Sequence, residues 1–262
     1  MKKIALKDVT FIMPVRFDSA VRLENALAVI AYLHKYFDTN IFVLEGSSQK
    51  FSIFKSLVKN KVRYFFVEDN DNIFYKTKYI NVLAKKVDTP FISIWDADVI
   101  ADKNQIVEAV EILRRNEADV SYPYDGRFLD TSDIIRALYL AKKDINILHK
   151  YMYYTHLIYG DKMVGGAVIM NTEKYKQSGL DNEDFYGWGN EDYERQYRFD
   201  ALGYRTYRSK GPVYHLSHPR DINGVFRSEK QHKWTGNYLK NIMDSSKDEL
   251  LKGKQFSHNI SE

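Results

Sequence analysis

Between residues 9 and 115, short apolar runs alternate with amphipathic stretches, which restricts the chain to an α/β architecture with a mostly parallel central sheet flanked by helices. VTFIMPV, residues 9–15, is continuously apolar, as a strand covered on both faces must be. Leu23, Ala26, Leu27, Ile30 and Leu33 then recur at helical spacing. The same reading gives strands at 41–44, 63–67 and 91–95, and helices over 50–58, 76–86 and 103–115. Right-handed crossovers follow from that order.

Ligands on such sheets bind outside the carboxyl ends of the strands. Pro14, Val15 and Arg16 stand at the end of the first strand, Glu45 at the end of the second, and Asp96 and Asp98 at the end of the fourth. Neither GxGxxG nor GxxxxGK[ST] occurs, so the chain has no dinucleotide fingerprint and no P-loop. Two carboxylates at one strand end can hold a divalent cation, although such a pair also serves to cap the next helix. Lys76 and Lys78 could meet phosphates or form a solvated helix face.

The second half is less regular. A strand is read at 120–123, helices at 133–141 and 145–159, and strands at 167–170 and 213–216. His215 and His218 end the last strand. Residues three apart on a strand face opposite sides, so both reach one ion only if the chain turns after Leu216. Pro219 follows and favours such a turn. With the Asp pair, two imidazoles suit Mn²⁺ (Mg²⁺ second) better than a closed Zn²⁺ site. The alternative is one core histidine and one surface histidine.

GWGNEDYERQYR, residues 187–198, concentrates the remaining signals. Gly187 and Gly189 bracket Trp188, giving close backbone approach beside a flat ring on which a sugar can stack. Asn190 is expected to cap the helix that ends at Leu202, before Gly203. Glu191, Asp192 and Glu194 fall in its first turn, where acids also suit the helix dipole.

Lysine and arginine exceed aspartate and glutamate by only four, which gives no reason to expect a nucleic-acid partner. Without cysteine there is no disulfide and no thiolate metal site. The first ten residues lack the apolar core of a signal peptide, and no run approaches the length of a membrane span, so a soluble, cytoplasmic protein is expected. Residues 1–246 read as one catalytic domain, with a nucleotide-binding half over 1–102 and an acceptor and metal half over 103–226. Trp234, Tyr238 and Ile242 form one docking face of a helix, and the tail 247–262 is expected to fray. The lysines of the polar stretch from Arg227 to Glu262 predict peripheral contact with the inner face of an anionic membrane.

Together, FIMPVR, KTKYIN, WDADV, VGGAVIM, GWGNEDYERQYR and HLSHPRD resemble the β-1,4-galactosyltransferase family of metal-dependent GT-A glycosyltransferases, over about residues 10–223. GWG-x-ED also resembles bacterial family 2 enzymes. Asn190 departs from a family Gly, Tyr193 from a third acid, and His215 from a Met ligand. The resemblance implies a GT-A (Rossmann-like) fold and hexose transfer from a UDP-sugar donor to a glycan or lipid-linked saccharide acceptor. Inversion, in bacterial surface polysaccharide or glycan synthesis, is the expected form. It implies Asp98, His215 and His218 as metal ligands and Asp192 as general base. Asp96 would hold the donor, with Pro14, Val15, Arg16, Glu45 and Lys78 around the nucleotide. Glu191, Trp188, Gly189, Gly165 and Gly166 would contact sugar. A retaining hexosyltransferase, or a non-catalytic sugar-nucleotide-binding subunit, is the alternative.

Overall fold

The first strand begins before its apolar run: β1 (Ile4–Val15) carries a register shift between Leu6 and Thr10. In chain order there follow α1 (Ala20–Tyr36), β2 (Phe37–Ser47), α2 (Ser52–Leu57), β3 (Arg63–Glu68), α3 (Lys76–Ala84) and β4 (Phe91–Trp95). Next come β5 (Val99–Ala101), α4 (Lys103–Arg114), β6 (Val120–Tyr122), β7 (Phe128–Asp130), α5 (Asp133–Lys142), α6 (Asn146–Lys150), β8 (His156–Leu157) and β9 (Ala167–Asn171). The chain continues with α7 (Thr172–Gln177), α8 (Glu191–Ala201), β10 (Thr206–Arg208), β11 (Val213–His215), α9 (Glu229–Met243) and α10 (Lys247–Leu251). The computed structural model describes residues 2–220 and 222–251.

The main sheet has the order β10-β6-β9-β4-β1-β2-β3. β4, β1, β2 and β3 are parallel, as the alternating pattern requires. β9 runs antiparallel between β4 and β6, so the sheet is mixed rather than parallel throughout. The reason is its approach: β9 enters from an irregular excursion, not through a strand–helix crossover. A second sheet, β5-β11-β7-β8, gathers β7 and β8 from that excursion, β5 from just after β4 and β11 from beyond α8; of these only β11 matches a strand read in the sequence, and all four are two or three residues long.

The helix expected over 145–159 stops at Lys150. A 3₁₀ turn at Met152–Tyr154 and the strand β8 replace the rest. The Thr155 hydroxyl donates to the Met152 carbonyl at 2.6 Å, closing that turn. Near the end of the described chain, Trp234 and Tyr238 pack on Phe185 at 5.3 and 5.4 Å, and Ile242 is buried, so α9 docks by the expected face. Residues 247–251 are helical rather than frayed, and the rest of the tail, 252–262, lies outside the described residues. No helix among the described residues is long and apolar enough to cross a membrane.

Candidate active site

The turn after β4 is fixed by its own tryptophan. Trp95 is fully buried, and its Nε1–H donates to the Val99 carbonyl at 2.9 Å. The Asp96 N–H donates to the Gly166 carbonyl at 2.8 Å, tying the turn to the loop before β9. The Leu216 N–H donates to the Asp98 carbonyl at 2.7 Å, bringing the end of β11 to the same place. Asp96 and Asp98 therefore diverge: Asp96 meets the Lys76 ammonium at 3.1 Å, and Asp98 meets the histidines.

The chain does turn after Leu216. Asn25 on α1 is fully buried, and its Nδ2 donates to the Leu216 carbonyl at 2.7 Å. The Ser217 N–H donates to the Thr131 hydroxyl at 3.0 Å. His215 and His218 then share Asp98: Nε2 of His218 lies 3.1 Å and Nε2 of His215 lies 3.7 Å from its Oδ2. One donor atom from each of the three residues lies within 4.8 Å of the others. Nδ1–H of His215 donates to Asp130 at 2.6 Å, and Nδ1–H of His218 donates to the Pro219 carbonyl at 2.8 Å. Each ring is thereby oriented with Nε2 inward, the usual support for a metal-ligating imidazole. Burial pushes the Asp98 carboxyl up, but His215 and His218 outweigh it and hold it well below the usual carboxylate range.

In the same cavity, α8 begins after the tight GWG stretch. Gly189 has φ +118°, and a Cβ there would come 2.3 Å from the Phe226 ring, which packs edge-on to Trp188 at 5.2 Å. Gly189→Ala is accordingly expected to lower unfolding stability by about 1–3 kcal/mol, measured by chemical denaturation; an unchanged midpoint would contradict it. Asn190 is left-handed at φ 68° and makes no side-chain cap; its amide instead donates to Thr235 on α9 at 3.0 Å. The helix start is closed by Glu191, whose Oε2 accepts from the Gly189 N–H at 3.0 Å. Left-handed backbone is most readily adopted by Gly and next by Asn, which explains Asn where the resembling family has Gly.

Lys76 binds the two halves of the site. Its Nζ lies 3.1 Å from Asp96, 3.6 Å from Glu191 and 3.8 Å from Asp192. Burial opposes the ammonium, but those three carboxylates hold it charged, well above the ordinary lysine range. Burial, then the Asp192 charge, push Glu191 up. Burial opposes the Asp192 carboxylate as well, but Lys76 and Arg195 overcome it and hold that group low. Asp96, Asp98, Asp192, Trp188 and both histidines line one cavity of about 350 Å³, which also takes in Pro14, Val15 and Arg16.

A family model described as the N-terminal domain of galactosyltransferase matches residues 146–219, the part that carries GWGNEDYERQYR and both histidines. No curated protein matches the chain in sequence. Among solved structures, the catalytic domain of Drosophila β1,4-galactosyltransferase 7 is similar at TM-score 0.54 and 17% identity, over 87% of this chain and 79% of that one. A mannosyltransferase from Pyrobaculum calidifontis is similar at TM-score 0.52 and 17% identity, over 82% of this chain and 58% of that one. S. aureus TarS is similar at TM-score 0.58 and 14% identity, over 92% of this chain and 41% of that one. The chain thus spans little more than half of the mannosyltransferase and less than half of TarS. The chain has the GT-A fold of these enzymes.

In this GT-A fold several expected site residues stand elsewhere. Glu45 is buried and does not line the cavity: it accepts from the Ser47 hydroxyl at 2.8 Å, the Phe51 N–H at 2.9 Å and the Tyr64 hydroxyl at 2.5 Å. Its carboxylate organises the β2–α2 loop. Lys78 is exposed, over the Tyr75 ring at 5.6 Å, because it lies two residues from Lys76 on α3 and so faces away. Arg16 lines the cavity, but its guanidinium is committed to Gly46, Asp69 and Asp71 at 2.7–2.8 Å, and shapes the wall. Gly165 and Gly166 make room chiefly for protein: a Cβ would meet Asp192 Oδ2 at 2.5 Å from Gly165, and the Phe128 ring at 2.4 Å from Gly166. The sequence reading missed Asp130, which reaches His215 only through the β7–β11 register, and Arg195, which appears in sequence as one more helix cation.

Proposed function

We propose that this protein is a glycosyltransferase that transfers a hexose from a UDP-sugar to a sugar hydroxyl with inversion at the anomeric carbon. The observation that carries this is a single cavity lined by the cluster Asp98, His215 and His218 and by Asp192. Asp98, His215 and His218 fit a divalent cation of the Mn²⁺ type: one carboxylate and two imidazoles, each ring fixed through its second nitrogen. When bound, such a cation neutralises charge on the leaving diphosphate. The Drosophila enzyme has been solved with manganese, UDP-Gal and xylobiose, and the mannosyltransferase with GDP-Man and Mn²⁺, which supports a nucleotide-sugar donor and a sugar acceptor here.

In the reaction, Asp192 Oδ2 accepts the proton of the acceptor hydroxyl as its oxygen attacks the anomeric carbon. The bond from that carbon to the diphosphate oxygen breaks, and its electron pair leaves with UDP. Trp188 offers the sugar an apolar face, and Glu191, held beside Lys76, offers it a hydrogen-bonding carboxyl. Asp96, on the other side of Lys76, faces the donor. The test is a screen of UDP-Gal, UDP-GalNAc, UDP-Glc and UDP-GlcNAc with Mn²⁺, with the product anomer read by NMR. One donor is expected to be turned over with inversion. A retained anomer would move the retaining reading ahead, and no turnover of any donor would favour a binding subunit.

A further inference from the structure

The deepest charge at the site belongs to Arg195, one helical turn beyond Asp192 on α8, with a side chain only 1% exposed. One guanidinium nitrogen, Nη2, donates to Asp192 Oδ1, and the other, Nη1, donates to Asp181 Oδ2 at 2.7 Å. Asp181 is itself immobilised. Its Oδ1 accepts from the Tyr175 hydroxyl at 2.7 Å, and its backbone N–H and carbonyl are both bonded to the Asn81 side chain, at 2.9 and 2.8 Å. Asp192 Oδ2, by contrast, has the Lys76 ammonium at 3.8 Å and the bare Cα of Gly165 beside it, where a Cβ would intrude to 2.5 Å. The two oxygens of Asp192 are thus differentiated: one is fastened to the protein interior and the other is presented to the cavity.

We propose that Arg195, anchored by Asp181, is a positioning residue that fastens Oδ1 of Asp192 and thereby aims Oδ2 at the acceptor hydroxyl. This rests on the reading of Asp192 as the general base. A guanidinium suits the task because its planar fork bonds two carboxylates at fixed angles, which an ammonium cannot do. A buried cation would be costly unless paired, and here it is shared between two anions. It also keeps Asp192 ionised. The other ionisable groups that face that carboxylate are Lys76 from α3, Asp96 after β4, Tyr122 in β6 and Tyr124 just beyond it, and Glu191 and Tyr193 on α8.

The test compares Arg195→Met, Arg195→Lys and Asp181→Asn in the full chain, by kcat, KM for donor and the pH profile of kcat/KM. Arg195→Met is expected to lower kcat by on the order of 10²-fold with donor KM nearly unchanged. It should also raise the midpoint of the acid limb by about one to three pH units, because a cation that favoured the carboxylate is gone. Asp181→Asn disturbs the same buried network but leaves the cation on Asp192, so its acid limb should not move. Arg195→Lys keeps the charge without the fork, and should show an unmoved limb with kcat down about tenfold. Wild-type kcat in Arg195→Lys, or equal movement of the limb in Arg195→Met and Asp181→Asn, would overturn the proposal. If Arg195→Met does not fold, the Arg195→Lys and Asp181→Asn results decide. Asp192→Asn is the control: if it is inactive while the Arg195 variants behave as wild type, only the positioning role fails. If it is active, the general-base reading fails with it.

Discussion

Asp192→Asn is expected to lower kcat by on the order of 10²-fold or more, with UDP-sugar binding nearly unchanged. The substitution keeps the shape of the side chain, and its amide oxygen can still accept from Arg195, so α8 and the GWG turn should keep their geometry. What is lost is the basic oxygen on the cavity side. The carboxylate is ionised in the native protein because Lys76 and Arg195 together outweigh the cost of burial. An ionised base has only to accept a proton as the hydroxyl attacks. Donor binding should be spared because the proposed cation site is held by Asp98, His215 and His218 and not by Asp192. Steady-state kinetics on the preferred acceptor, with UDP binding measured separately, check both parts. Near-normal turnover would sink the assignment and move Glu191 forward as base.

Asp98→Asn should act on donor and chemistry together. The carboxylate is the one acid in the three-residue cluster, and its loss should weaken Mn²⁺ binding by about 10²-fold or more, with UDP affinity and kcat falling alongside. EDTA should abolish transfer in the wild type and Mn²⁺ should restore it; full activity in chelator would remove the metal from the mechanism. The histidines add a pH dependence. Burial disfavours the charged His215 ring, but Asp98 and Asp130 overcome this and raise its pKa from 6.5 to about 10 in the metal-free protein. A proton held more tightly in the folded than the unfolded state stabilises the fold fully below about pH 6.5, and that contribution is lost as pH climbs through about 10. An incoming cation must displace this proton, so Mn²⁺ affinity should rise with pH between about 6 and 9. Titration calorimetry at several pH values reads that slope, and a flat response would show that His215 is not a ligand.

The cluster and the base differ in how legible they were. Asp96, Asp98, Glu191 and Asp192 stand in short, characteristic runs at element ends, where local pattern and position in the sheet coincide. Lys78 and Glu45 lie off the cavity lining for one reason: their placement depends on side-chain direction. A two-residue step on α3 decides between the cavity and solvent, and the loop after β2 consumes the Glu45 carboxylate. Asn190 read as a cap because sequence records its side chain and not its φ.

The alternation of strand and helix, with acids at the strand ends, was enough to determine the parallel half of the sheet and the edge at which the site forms. Those are local properties, set by hydrophobic periodicity and by where a strand must stop. The antiparallel course of β9, the pairing of short strands into a second sheet, and the meeting of His215, His218 and Asp98 were decided only in three dimensions. Each depends on partners far apart in sequence, such as Asn25 holding the turn after Leu216, Asp130 reaching His215 and Asp181 holding Arg195. No periodicity encodes such pairings, because what fixes them is the need of buried polar groups to find one another once the core has closed.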